Sequence, residues 1–317
     1  MSFIGKGIKK TMRFVYLHEA MVGVLMFLLS LVLLFVFKYN GGFSFWKSLV
    51  IGVNWVAVAL ILDFVHHKLY KKSYFPITRT RFKEFLRITV ISVIFCVVLD
   101  LFGAFFTRLW YYPFFNFVQY ALLAPIGFGI YTFSLFALYE IIKKKIDHNA
   151  PKGRLSNNQE RLYKILMKAY FFISIIGFFL LGIWVTKAMN GVSISMFEIN
   201  SSYNITQPWW IMIVVLFLLF LVFEAYCFAL GKETLTRDII RGNVIPIISI
   251  ILANILGIVI FELINAPFQI WIFDNWFLND MKLFTLPLFA ILSWPFQFLA
   301  FLAMYRAVLP TNQENIW

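Results

Sequence analysis

Three acids stand inside long apolar runs of this chain: Asp100, Glu224 and Glu262. A charged side chain costs about 2.5–3.5 kcal/mol to place at the centre of a bilayer, so an acid there is kept by a partner or by a task. Such a carboxyl can give a proton, take one, or accept hydrogen bonds between helices. Asp100 is followed by an aromatic cluster, Trp110, Tyr111, Tyr112 and Pro113, and then by Pro125 with Gly127 and Gly129. Glu262 is followed by Trp271 and Pro287. Prolines in apolar helices free backbone carbonyls and permit kinks. Pro125 and its glycines therefore mark a broken, cavity-lining stretch, or a kink that only improves packing. Trp294 and Gln297 lie mid-run in the last apolar segment, beside Pro295, and can line the same cavity. The candidate acids are thus Asp100, Glu262 and Glu224. The candidate substrate-binding residues are Trp110, Tyr112, Pro125, Trp271, Pro287, Trp294 and Gln297.

The other polar residues have simpler readings. Asp63, His66 and His67 share one helix face and suit either a metal or proton relay or a self-solvated cluster at the membrane surface. Glu140 has Lys143 and Lys144 three and four residues on, the spacing of a surface ion pair. His18 and Glu19 begin the first apolar run. Cys96 and Cys227 sit within apolar runs and read as small buried hydrophobes. The chain carries no phosphate loop, dinucleotide fingerprint, nucleophile elbow or zinc-protease motif, so neither metal nor cofactor is expected.

These residues need a scaffold in lipid. The chain is 62% hydrophobic and 14% charged, where a soluble domain averages about 45–50% and 25%. We count eight apolar spans, at about 14–37, 43–66, 86–106, 115–142, 165–188, 209–230, 244–264 and 282–308, each long enough for a hydrocarbon core of about 30 Å. The fold class is an all-α polytopic integral membrane protein. Of the 28 Lys and Arg, 23 fall on the side of the N-terminus and 5 on the other. The positive-inside rule then puts both termini in the cytoplasm, in a multi-pass protein of the plasma membrane. The basic charge follows this topology, attracts anionic lipid, and does not call for nucleic acid. Trp46, Trp110, Trp184, Trp209, Trp210, Trp271 and Trp276 lie near the far ends of the spans, where an aromatic belt would sit. Sequons at Asn200 and Asn204 occupy a polar outer loop. The stretch from Pro267 to Met281 reads as a short interfacial helix.

The two halves echo each other at an offset of 161–162 residues. Asp63 meets Glu224, Lys71 meets Lys232, Asp100 meets Glu262, Trp110 meets Trp271 and Pro125 meets Pro287. The predicted organisation is a four-helix half over 1–145, a linker over 146–163 and a second half over 164–317. They would be parallel repeats, with a binding site between them.

Asp100 to Tyr112, with the pattern D-x-x-G-x-x-x-x-x-L-W-Y-Y, and Pro125 to Tyr131, P-I-G-F-G-I-Y, together resemble the transmembrane lycopene cyclase family. The run from Pro287 to Trp294 is similar to the related carotenoid hydratases. The resemblance implies a carotenoid-like polyene or other isoprenoid held between helical repeats. It maps the acid onto Asp100, the aromatics onto Trp110 and Tyr112, and the proline onto Pro125. It would make any enzyme here a cyclase or hydratase. The family's Pro-x-Glu-Glu carboxylates are missing, their places taken by Gly127 and Phe128 and by Phe289 and Ala290. A proton-coupled transporter, a lipid translocator and a non-catalytic scaffold remain alternatives.

Overall fold

The computed structural model describes residues 2–39, 45–71, 73–74, 82–113, 115–146, 154–189, 209–310 and 317. The linker residues 147–153 and both sequons lie outside them. Nine α-helices are present among the described residues. They are α1 (Ser2–Tyr39), α2 (Phe45–Tyr70), α3 (Phe82–Asp100), α4 (Phe117–Ile146), α5 (Asn157–Met189), α6 (Trp210–Ala229), the short α7 (Leu235–Ile240), α8 (Ile245–Asn265) and α9 (Leu288–Val308). All but α7 are long and apolar enough to cross a membrane. A lipid environment requires each span to satisfy its own backbone, and a helix does so.

The helices form a centre and a periphery. Helices α3, α4, α8 and α9 pack on one another in the middle. Helix α2 packs on α4 and carries α1; α6 packs on α9 and carries α5. Only 22% of the apolar window of α1 and 11% of that of α5 is buried, against 44–56% for the other six spans. Over these windows the two outer helices turn most of their surface away from the bundle. The centre is held by aromatic packing, with Phe301 stacked on Tyr305 and Phe136 edge-on to the same ring at 5.3 Å. Such pairs contribute about 0.5–1.5 kcal/mol beyond the area they bury. Cys96 and Cys227 are buried free thiols.

The end of the bundle where α2 stops is tied by carboxylates. Asp63 accepts from the Tyr74 amide at 2.9 Å and from the Ser73 hydroxyl. Glu140 does not simply face its own lysines. Its carboxylate reaches across to His66 Nε2 at 2.7 Å and to the Tyr74 hydroxyl at 2.5 Å, joining α4 to α2. The described residues contain no group of three or more metal-ligating side chains. Glu19, at the start of the first apolar run, is 2% exposed and lies beside Asp63, while His18 is exposed.

At the opposite end the chain departs from expectation. No helix forms over 267–281. Ile272–Phe273 instead makes strand β2, antiparallel to β1 (Trp110–Tyr111), pairing Trp110 with Phe273 and Tyr111 with Ile272. The Asp274 amide continues the contact to the Leu109 carbonyl at 3.1 Å, and its carboxylate meets Arg108 Nε at 3.5 Å. A lone surface helix would leave β1 without backbone partners in a dry region, and the strand pair supplies them. A hairpin, β3 (Lys282–Leu283) with β4 (Leu286–Pro287), occupies the predicted start of the last span. Pro287 accordingly sits at the N-cap of α9, where it has no amide to lose and makes no kink. Pro125 and Pro295 do lie inside continuous helices. The expected tryptophan belt is also incomplete. Trp46 and Trp210 are exposed, but Trp110 and Trp271 turn inward.

Candidate functional site

Asp100 is the last residue of α3 and is 5% exposed. The helix widens into a π-helical turn, Leu101–Phe106, and Thr107 closes it by bonding through both amide and hydroxyl to the Phe102 carbonyl. Arg108 then takes a left-handed conformation, φ 50°, that folds the chain back over the turn. This return lays the Trp110 ring across Gly103. A Cβ at Gly103 would stand 1.9 Å from that ring, so only glycine allows the arrangement. Trp110 Nε1 donates to Asp100 Oδ1 at 2.8 Å. The Tyr112 hydroxyl donates to the same carboxylate at 3.0 Å, and the Tyr120 hydroxyl, one turn into α4, donates to Oδ2. Burial first, and then the neighbouring Asp100 charge, hold the Tyr112 hydroxyl well above the usual phenol range. It stays a donor at any working pH.

Glu262 occupies the corresponding end of α8 and is fully buried. Trp271 Nε1 donates to Oε1 at 2.9 Å, and the Thr285 hydroxyl donates to Oε2 at 2.8 Å. Asn265 supports the turn between them. Its side-chain oxygen accepts from the Ile270 and Trp271 amides at 3.0 and 3.3 Å, and its amide nitrogen donates to Glu262 at 3.4 Å. Gln269 takes the left-handed conformation here, φ 51°, two residues before the tryptophan.

Between the two carboxylate–indole pairs lies a chamber of about 130 Å³. Its walls bring together six of the predicted residues: Asp100, Trp110, Tyr112, Trp271, Trp294 and Gln297. Trp55 from α2 and Tyr131 from α4 complete an aromatic surround, with Trp55 5.5 Å from Trp271 and 5.4 Å from Phe261. Asp100 is the acid in the wall. Glu262 stands one layer back, behind the Trp271 ring that it orients. A second, apolar space of about 280 Å³ adjoins the chamber and shares Trp55, Tyr112, Phe128 and Trp271 with it.

Two of the predicted substrate-binding residues stay out of the chamber wall. Pro125 is flanked by Ala124 and Ile126, which line the second space, and Pro287 only starts α9. Glu224 lies at the other end of the bundle. Its two oxygens accept from the Leu235 and Thr236 amides at 3.1 and 2.8 Å, capping the start of α7. An unpaired buried amide costs about 1–3 kcal/mol. Glu224→Ala is therefore expected to lower stability by about 2–4 kcal/mol while leaving the chamber intact. Thermal unfolding in detergent together with tryptophan emission checks this; a stable variant with altered emission would refute it.

Sequence reasoning missed Tyr120, Asn265 and Thr285. Asn265 spans a turn set by the left-handed Gln269, Thr285 follows the left-handed Phe284, and Tyr120 is brought to Asp100 by the packing of α4 on α3; no local pattern announces these contacts. Comparison with protein-family models, with curated proteins and with solved structures finds no match to this chain.

Proposed function

We propose that this membrane protein binds an elongated apolar lipid of isoprenoid type in the chamber between two four-helix repeats. The carrying observation is the chamber itself: an aromatic-walled space in which one buried carboxylate, Asp100, is held by three hydrogen-bond donors. Aromatic faces suit a conjugated or branched hydrocarbon, and they also attract positive charge that develops on one. The buried Trp55 Nε1–H has no acceptor among the described residues and is a donor that an oxygen on such a ligand would meet. Asp100 is the group positioned to deliver a proton to a polyene, because the charge left behind would meet Trp110, Tyr112 and Tyr120. Gly127 and Phe128, which stand where the lycopene cyclases carry carboxylates, face this same region as apolar surface. That favours binding, or a hydratase-like step from a single acid, over two-carboxylate cyclase chemistry.

The repeat reading rests on geometry that recurs at an offset of 161. Asp100 bonds Trp110 and Glu262 bonds Trp271; Arg108 and Gln269 both have positive φ two residues before the tryptophan. The first half has one residue more between acid and indole, and the π-helical turn absorbs it. Asp63 caps the Tyr74 amide and Glu224 the Leu235 amide, each eleven residues on. The strand pairing supports the same reading. Tyr111 pairs with Ile272, its own counterpart, and Trp110 pairs with Phe273, the counterpart of Tyr112. A two-fold axis between β1 and β2 requires that register. The halves 1–145 and 164–317, joined by 146–163, are then parallel repeats about an axis along the membrane normal. The basic segments set both termini in the cytoplasm, against anionic lipid.

The test is solvent extraction of the purified protein followed by mass spectrometry and absorbance. A distinct isoprenoid species, enriched over bulk phospholipid, is expected. Recovery of bulk phospholipid alone would overturn the assignment.

A further inference from the structure

The chamber by itself holds only part of an elongated lipid. Ligand sites usually enclose roughly 300–1,000 Å³; neither the 130 Å³ chamber nor the 280 Å³ space beside it reaches that size, but the two joined do. The second space has a definite shape. Helices α2 and α4 are tied at one end, where His66 Nε2 meets Glu140 at 2.7 Å and the Tyr70 hydroxyl donates to the Glu140 carbonyl at 2.8 Å. Toward the other end a groove opens between them. Leu49 and Val53 on one lip are 39% and 37% exposed, and Ile126 on the other is 58% exposed. The lips lie on spans that cross the apolar layer, so the groove opens to lipid rather than to water.

Two glycines keep the groove clear. A Cβ on Gly52 would meet nothing within 4 Å. A Cβ on Gly127 would stand 3.3 Å from the Trp55 ring. Trp55 lines both spaces, so its ring stands where groove meets chamber.

We propose that the groove between α2 and α4 is a lateral access path from the membrane, which afterwards holds the tail of the lipid whose head lies in the chamber. The proposal rests on the functional reading above. Its occupant is fixed by continuity: the groove is a further reach of the same site, walled by the same Trp55, Tyr112, Phe128 and Trp271.

All-trans-retinol, a fluorescent isoprenoid that absorbs where tryptophan emits, is a suitable probe. Energy transfer from protein to retinol in detergent micelles is expected for the parent chain. Gly52→Leu extends a side chain into the groove from a position where a Cβ meets nothing within 4 Å, and leucine is the better helix former by about 1 kcal/mol. This variant should keep or raise its unfolding temperature and bind retinol at least about tenfold more weakly. Gly182→Leu makes the same change on α5, at an exposed glycine whose Cβ also meets nothing, and should bind like the parent. A parent that shows no transfer would overturn the functional reading and this path with it. Undiminished binding by Gly52→Leu would overturn the path alone and leave the chamber standing. Equal loss in both variants would trace the effect to the substitution type and likewise overturn the path.

Discussion

Asp100→Ala should lower the stability of the folded chain by about 2–4 kcal/mol, and Asp100→Asn by about 1 kcal/mol or less. Trp110, Tyr112 and Tyr120 all aim at one side chain that is 5% exposed. Interhelical hydrogen bonds in membrane proteins average only about 0.6 kcal/mol, because an unfolded span in lipid finds other partners. Here alanine strands three buried donors together, around a void, in a turn whose backbone is already committed. The desolvation cost of stranded donors outweighs that low average. Asparagine keeps the Oδ1 acceptor for Trp110 and Tyr112, and the Tyr120 hydroxyl can rotate to accept from the new amide. What asparagine cannot do is carry a transferable proton. Asp100→Asn should therefore remain folded and hold its lipid, yet lose any proton-dependent conversion of it. Unfolding curves in detergent and analysis of the co-purified lipid separate these effects. An Asp100→Ala chain as stable as its parent would refute the hydrogen-bonded account.

How much of this could be read from the residues varies with the kind of information required. The eight spans were legible because lipid imposes one rule on every stretch, and that rule shows in composition. The chamber wall was legible in part because rare residues in an apolar background are costly: Asp100, Trp110, Trp271, Trp294 and Gln297 all reach it. What stayed hidden was anything decided by the path of an irregular segment. The residues from Pro267 to Met281 mix apolar and polar positions in a way that fits an interfacial helix. Their actual conformation depends on β1, more than 150 residues earlier, offering a free strand edge. Glu140 shows the same limit. Its local spacing favours Lys143 and Lys144, yet tertiary packing brings His66 and Tyr74 to it. A local pair on a helix surface contributes only about 0.2–0.5 kcal/mol, and spacing along one helix carries no information on the partners that packing adds. Glu224 carried the same sequence signal as Asp100, an acid in a greasy helix. Only the positions of the Leu235 and Thr236 amides distinguish a cap from a chamber acid.

Gly103→Ala and Gly257→Ala make the same substitution at two packed helical glycines, and the expected results differ sharply. At Gly257 the new methyl would stand 2.3 Å from Leu135 Cδ2, with the next nearest atom, Leu135 Cγ, at 3.7 Å. A leucine tip turns away by changing rotamer, and alanine favours the helix by about 1 kcal/mol, so the net change should lie near zero. At Gly103 the methyl would stand 1.9 Å from one atom of the Trp110 ring and 2.5 Å from two more. That ring is rigid, its nitrogen is pinned to Asp100, and its backbone belongs to β1. Relief requires breaking the indole–carboxylate bond or lifting β1 from β2. Overpacking alone costs about 1–3 kcal/mol. The lost bond to a charged acceptor adds about 1.5–3 kcal/mol. Gly103→Ala should therefore lower stability by about 3–5 kcal/mol, shift tryptophan emission and reduce bound lipid, while Gly257→Ala does none of these. If the two variants melt alike, the Trp110 ring is not held against the turn, and the chamber loses the residue that aligns its acid.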